Sequence, residues 1–262
     1  MKTQTWRIRR AAKLLRLGEV YETIGTLRSP FRGVYDSWED ARSAIPEDRK
    51  IGYDHPDAAP MYLDFLDKIR LSDYAALFWL KSAIAESTSV FDLGGNVGLE
   101  CYAFQKYLHY PGNLRWIVCD VPEVTRLGRK LAQERNMTRL VFTEDVCQAD
   151  GTDIFLTAGT LQCMETDLSV ILSQLSRKPR HLIVNRVPLY NGKAFCTVRD
   201  LPPVMLVYRV FNRIEFIESV QANGYKLMDA WDIAEPACGT CIIPFHSDKT
   251  IRNYSGLYFR AD

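Results

Sequence analysis

The sequence predicts an α/β protein with an open, mostly parallel sheet, helices on both faces and a helical N-terminal extension. Three observations carry this expectation. From Ser89 onward, short β-branched and aromatic runs alternate with helix-length stretches. The first of these runs stops at a cluster of glycines. No helical pattern separates the last two runs, so they are expected to pair antiparallel.

Taken in order, SVFDL (89–93) is the first strand and LECYAFQKYLHY (99–110) the first helix. LRWIVCD (114–120) is the second strand, followed by a helix over 122–135 with Pro122 suited to its first turn. RLVFTED (139–145) is the third strand and TDIFLTAG (152–159) the fourth, and a helix over 165–176 follows. RHLIVNRVP (180–188) is the fifth strand, ended by Pro188. A helix over 214–223 leads to GYKLMDAWDI (224–233) and NYSGLYFRA (253–261), strands six and seven. Upstream, 1–30 reads as one or two short basic helices. SWEDARSA (37–44) reads as a helix capped by Ser37, and 61–86 as one long helix. The predicted division is an extension and cap over 1–88 and a domain over 89–262.

With 47% hydrophobic and 25% charged residues, the 262-residue chain can bury a sizeable core. Its net charge of +1 gives no nucleic-acid signal. Residues 1–32 nevertheless carry eight Lys and Arg against two Glu, a local +6 that leaves −5 for the rest. That segment is either a solvated basic face or a peripheral contact for an anionic membrane. No leader and no membrane-spanning run is visible. The seven cysteines sit mostly in apolar contexts, so reduced thiols and a cytoplasmic location are expected. Cys238 and Cys241 form one CxxC, too few ligands with His246 for structural zinc, so no metal is predicted. A homodimer is the expected assembly if the chain is not a monomer.

The chemistry lies in VFDLGGNVG (90–98). Gly94, Gly95 and Gly98 let the backbone turn sharply into a helix and let a ligand approach the main chain. Asp92 ahead of them would repel a pyrophosphate but favours a ligand bearing an ammonium and a sulfonium, as S-adenosylmethionine does. Asp120, at the end of the second strand, is spaced to accept both ribose hydroxyls. The third strand ends in Glu144-Asp145-Val146, near an adenine, and the fourth runs out through Gly159, Leu161 and Gln162, beside the methionine end.

DLGGNVG…CDVPEV resembles the cofactor site of small-molecule O-methyltransferases. Over about 31–260 the chain is similar to a small bacterial family of methyltransferases associated with surface-polysaccharide genes. The likeness is carried by GVYDSWEDA (33–41), TLQCM (160–164), NRVPL (185–189), TVRDLPP (197–203) and YSGLYF (254–259). The resemblance implies a Rossmann-like class I methyltransferase, S-adenosylmethionine as donor and a helical N-terminal cap. There are two departures. Asn96 and Val121 complete the expected cofactor site, but Asn96 stands where glycine is usual. No His follows the fourth strand, where the plant-type enzymes carry their base.

The function expected is therefore O-methylation of a small molecule or sugar. The alternative is a non-catalytic cofactor-binding or scaffold protein with the same fold. His246, between strands six and seven, is the candidate base, and Arg186 at the end of strand five the candidate holder of an anionic acceptor. Tyr190, Arg199 and Tyr254 are further candidate wall residues. Trp38, Tyr53, Tyr62 and Trp79 read as helix packing, with a lid over the acceptor as the alternative.

Overall fold

A computed structural model describes residues 29–49, 52–233 and 241–261. Residues 1–28 of the basic helices expected over 1–30, and Cys238, lie outside them. The main sheet contains the seven predicted strands. They are β2 (Ser89–Leu93), β3 (Arg115–Cys119), β4 (Leu140–Thr143), β5 (Ile154–Ala158), β6 (His181–Val187), β10 (Tyr225–Ile233) and β11 (Tyr254–Ala261). Their spatial order is β10-β11-β6-β5-β2-β3-β4. β2 to β6 run parallel, whereas β11 is antiparallel to both β6 and β10. Order reversal at β2/β5 places a crevice outside the carboxyl ends of these strands, where an open α/β sheet binds its ligand.

Alternation along the strands builds a core on each face. Val90, Trp116, Val118, Ile154 and Leu156 point to one side, under Ala76, Leu80 and Ala83 of helix α2 (Tyr74–Ile84). Phe91, Ile117, Phe155, Leu182 and Val184 point to the other. There they meet Ile171 and Leu172 of α5 (Leu168–Ser173) and Phe216 and Val220 of α6 (Arg213–Gln221). The central strands are buried on both faces and read as continuous apolar runs. Edge strand β10 alternates between more buried and more exposed positions along its length.

Three local features depart from the sequence reading. The long helix expected over 61–86 is two 3-10 segments, Ala59–Phe65 and Leu71–Asp73, ahead of α2. The Asp73 carboxylate accepts from the Arg70 backbone N–H at 3.2 Å, a local bond that competes with a continuous helix. The helix expected over 99–110 is α3 (Leu99–Phe104). The third departure is a second sheet in stretches read as irregular. β1 (Phe31–Tyr35), β8 (Phe195–Leu201), β9 (Val204–Asn212) and β7 (Leu189–Tyr190) lie in the order β1-β8-β9-β7. An insertion between β6 and α6 thus takes its edge strand from the N-terminal part of the chain. Ser37 caps the short helix α1 (Trp38–Ser43) as expected, its Oγ accepting from the Asp40 N–H at 3.1 Å. The longest described helix is α4 (Pro122–Glu134), and no described helix is long and apolar enough to cross a membrane.

Candidate functional site

The turn after β2 is held from several sides. The Gly94 N–H donates to the Cys119 carbonyl at 2.7 Å, tying the turn to β3. Asp120 grips it again. Its Oδ2 accepts from the Asn96 N–H at 2.9 Å and its Oδ1 from the Val121 N–H at 2.8 Å, ahead of α4. Gly94 has φ +71°, and a Cβ there would lie 2.0 Å from the Thr160 Oγ1. A Cβ on Gly95 would lie 2.4 Å from the Asp92 carboxylate. Gly98 also has a left-handed φ, ahead of α3. Asn96 has φ +54°, and asparagine is the non-glycine residue best suited to that region, which explains how the loop does without the usual glycine. Gly94→Ala combines a left-handed φ with a clash against the Thr160 side chain. It is expected to lower unfolding free energy by on the order of 3 kcal/mol, checked by urea denaturation.

Beneath the turn lies a buried concentration of carboxyl groups. Asp92 is fully buried. Its Oδ2 accepts from the Trp116 indole N–H at 3.0 Å, while its Oδ1 has no hydrogen-bond partner among the described residues. Burial first, then the nearby Glu100, pushes Asp92 well above the usual carboxylate range. Burial raises Asp120 to about 6, against the opposing pull of its two backbone N–H bonds. Glu100, on α3, and Asp73, just ahead of α2, are also buried.

The structure places Arg186 differently from the sequence expectation. Its residue adopts φ +57° at the end of β6, and its guanidinium turns inward rather than toward an acceptor. One arm meets Asp73, and the other donates to Glu100 Oε1 at 2.8 Å and the Ala158 carbonyl at 2.9 Å. Both carboxylates and the cation are about 95% buried. The fork is committed to joining α2, α3 and the end of β5, so anchoring an external anion does not fit its surroundings. Asn185, beside it, donates to the Ser72 carbonyl at 2.9 Å.

The remaining predicted residues line the same edge or stand outside it. Asp145 is exposed and caps the next 3-10 turn, its Oδ1 accepting from the Cys147 N–H at 2.9 Å, while half-buried Val146 packs on the core. Gly159 has φ +78°, its N–H donating to the Asn185 carbonyl at 2.9 Å, and Leu161 is buried. His246 is exposed and precedes the 3-10 turn Ser247–Lys249. Trp79 packs a helix, stacking on Tyr258 at 4.4 Å and donating to Asp229 at 2.8 Å. Tyr53 and Tyr62 instead share a hydroxyl contact of 3.1 Å. The adjoining Asp54 accepts from the Glu123 N–H in the first turn of α4, which lays this segment against that helix start. Sequence reasoning missed Glu100 and Asp73, and it placed Gln162 beside the methionine end without giving it a role. Gln162 is buried with an unpartnered Oε1, and its only signal was a polar residue inside the apolar run after the fourth strand. A separate cleft of about 380 Å³, bordered by Trp38, Asp167, Arg209 and Glu215, contains none of the turn residues.

With the geometry in place, comparison with known proteins decides the fold. The 1,6-didemethyltoxoflavin-N1-methyltransferase of Burkholderia thailandensis was solved with bound 1,6-didemethyltoxoflavin and S-adenosylhomocysteine. It matches with a TM-score of 0.52 at 20% identity, over 83% of this chain and 95% of that one. An S-adenosylmethionine-dependent methyltransferase from Aquifex aeolicus matches with a TM-score of 0.51 at 14% identity, over 79% of this chain and 99% of that one. The fold is that of a class I methyltransferase. At these identities the likeness is one of architecture. No family model matches the chain, and neither does any curated protein sequence.

The polar groups around the turn set the chemistry of a ligand that would fit them. Three acceptor atoms, Asp92 Oδ1, Asn96 Oδ1 and Gln162 Oε1, are buried without a partner among the described residues. Four buried or half-buried carboxyls, Asp73, Asp92, Glu100 and Asp120, share this edge, and the cation among them is Arg186. Unmet acceptors and surplus negative charge suit a cationic ligand with donor groups, and would oppose a pyrophosphate.

Proposed function

We propose that this chain is an S-adenosylmethionine-dependent methyltransferase that methylates an oxygen of a small polar acceptor, such as a sugar. The observation that carries the proposal is the Asp92 carboxyl, buried under the glycine turn with one oxygen still seeking a donor. Asp120 holds the ribose hydroxyls, Asp145 and Val146 border the adenine, and Gly94, Gly95, Asn96 and Gly98 form the main-chain cradle. Val121 starts the adjoining wall, and Gly159 and Leu161 flank the methionine end.

When bound, S-adenosylmethionine supplies an electrophilic methyl group on a sulfonium. The chain's own task is alignment: the turn and Asp120 fix the donor, and residues after β5 set the acceptor's approach. Transfer to a hydroxyl also requires removal of its proton. His246 is the candidate base; it is exposed, in the connection between β10 and β11.

Calorimetry tests the cofactor assignment: S-adenosylmethionine and S-adenosylhomocysteine are expected to bind, and NADH is not. Absence of binding by both sulfur compounds, or tighter binding of NADH, overturns it. With an acceptor identified, His246→Ala is expected to lower kcat by about 100-fold while leaving S-adenosylhomocysteine affinity unchanged. An unchanged kcat removes His246 from the reaction.

A further inference from the structure

Arg199 on β8 is a cation without a carboxylate against it among the described residues. Its guanidinium carbon lies 5.5 Å from the centroid of Tyr208 and 6.0 Å from that of Phe31, and its buried Nε has no hydrogen-bond acceptor among the described residues. The carboxylate next in sequence, Asp200, faces the other way along the strand. It is held by Arg32 and Arg49, each at 2.8 Å.

The groups that do surround Arg199 are hydroxyls and a thiol. Tyr208 and Tyr254 share a hydroxyl contact of 2.6 Å, and the Tyr53–Tyr62 pair lies within electrostatic reach. Burial raises the Tyr53, Tyr208 and Tyr254 phenols and raises the Cys163 thiol to about 12, so all stay neutral at physiological pH. Arg186, the other inward-facing arginine described above, has two carboxylates against it. A partly buried cation with no anion is costly to keep, and such a cost is commonly retained where a ligand supplies the missing charge.

Its place in the fold says which ligand. Cys163 ends the turn after β5 and packs on the Tyr208–Tyr254 cluster, and it feels both the Arg199 guanidinium and the Asp120 carboxylate. Tyr53 adjoins Asp54, which holds the first turn of α4. Arg199 therefore stands across the β5 turn from the Asp120 edge.

We propose that Arg199 is the anion anchor of the acceptor site, and that the methyl acceptor carries a carboxylate or phosphate group alongside its hydroxyl. This rests on the methyltransferase reading above, and gives Arg199 the role that the sequence suggested for Arg186. The guanidinium fork would take the acid's two oxygens, the Tyr208 and Phe31 rings would hold its plane, and the tyrosine hydroxyls would meet the remaining polar groups.

The test uses the full chain saturated with S-adenosylhomocysteine and three matched probe pairs: glucuronate and glucose, glucose 6-phosphate and glucose, and 4-hydroxybenzoate and 4-hydroxybenzamide. In calorimetry, the acidic member of at least one pair is expected to bind about tenfold or more tightly than its neutral partner. The first and third pairs report a carboxylate site, and the second a phosphate site. Arg199→Met, which keeps the stem, is expected to erase that preference and to leave S-adenosylhomocysteine affinity unchanged. Without ligand, the variant should melt at or above the parent's temperature, because it removes an uncompensated cation. Equal binding of acidic and neutral members, no binding by any acidic probe, or a preference that survives in Arg199→Met overturns the proposal. A lower melting temperature for the variant also overturns it, by marking Arg199 as internally compensated. Failure of S-adenosylhomocysteine to bind the parent protein would instead sink the methyltransferase reading.

Discussion

Asp120→Ala is expected to weaken S-adenosylmethionine binding by about 100-fold in calorimetry. The carboxylate has two tasks. It fixes the glycine turn through the Asn96 and Val121 N–H groups, and it is placed to take a pair of ribose hydroxyls. Hydrogen bonds to a charged group contribute about 1.5–3 kcal/mol each, so losing two at the lower value gives about 3 kcal/mol, or roughly two decades in affinity. The same residue sets a pH dependence. Burial raises Asp120 to about 6, so it is ionised above that pH and neutral below it. The ionised form accepts the hydroxyls better. Affinity should therefore fall as pH drops through about 6, by up to about tenfold per unit, as one proton must be released on binding. This break is expected to disappear in Asp120→Ala. If the variant binds as tightly as its parent, the ribose assignment is wrong.

Arg186→Met is expected to destabilise the protein by about 3–5 kcal/mol, measured by urea denaturation at neutral pH. The reason is the pair of buried carboxyls left behind. Asp73 and Glu100 would lose the cation that meets both, and each is about 5% exposed. Burial already raises Asp73 against the opposing pull of Arg186, so removal of the cation would raise it further and drive proton uptake. A surface arginine reaching for an acceptor would show the reverse pattern, with stability kept and acceptor binding lost. Set beside Arg199→Met, which should not lower stability, the two variants separate a structural cation from a binding one.

These predictions rest on features that the sequence revealed unevenly. The seven strands of the main sheet were legible because each is a short apolar run whose ends are marked by glycine, proline or acidic residues. Asp92 and Asp120 were legible for the same reason, since each stands at a strand end next to its turn. The second sheet was not. β8 carries Arg199 and Asp200 and leads into Pro202-Pro203, so its local composition resembles a loop. Its outer partner β1 comes from the opposite part of the chain, with Phe31 opposite Arg199. The 61–86 stretch misled in the other direction. Its apolar spacing is helical throughout, yet the helix starts only at Tyr74, after a turn where the Asp73 carboxylate accepts from the Arg70 N–H and meets Arg186.

The sequence by itself determined the strand order's raw material and the acid–glycine turn, because side-chain period and turn chemistry are properties of neighbouring residues. The tertiary structure decided which arginine meets carboxylates and which, among the described residues, does not. Arg186 draws its carboxylates from 113 and 86 positions away, while Arg199 has its adjacent carboxylate turned to the opposite face. Charge compensation depends on distance in space and on exclusion of water, and neither is written in local sequence.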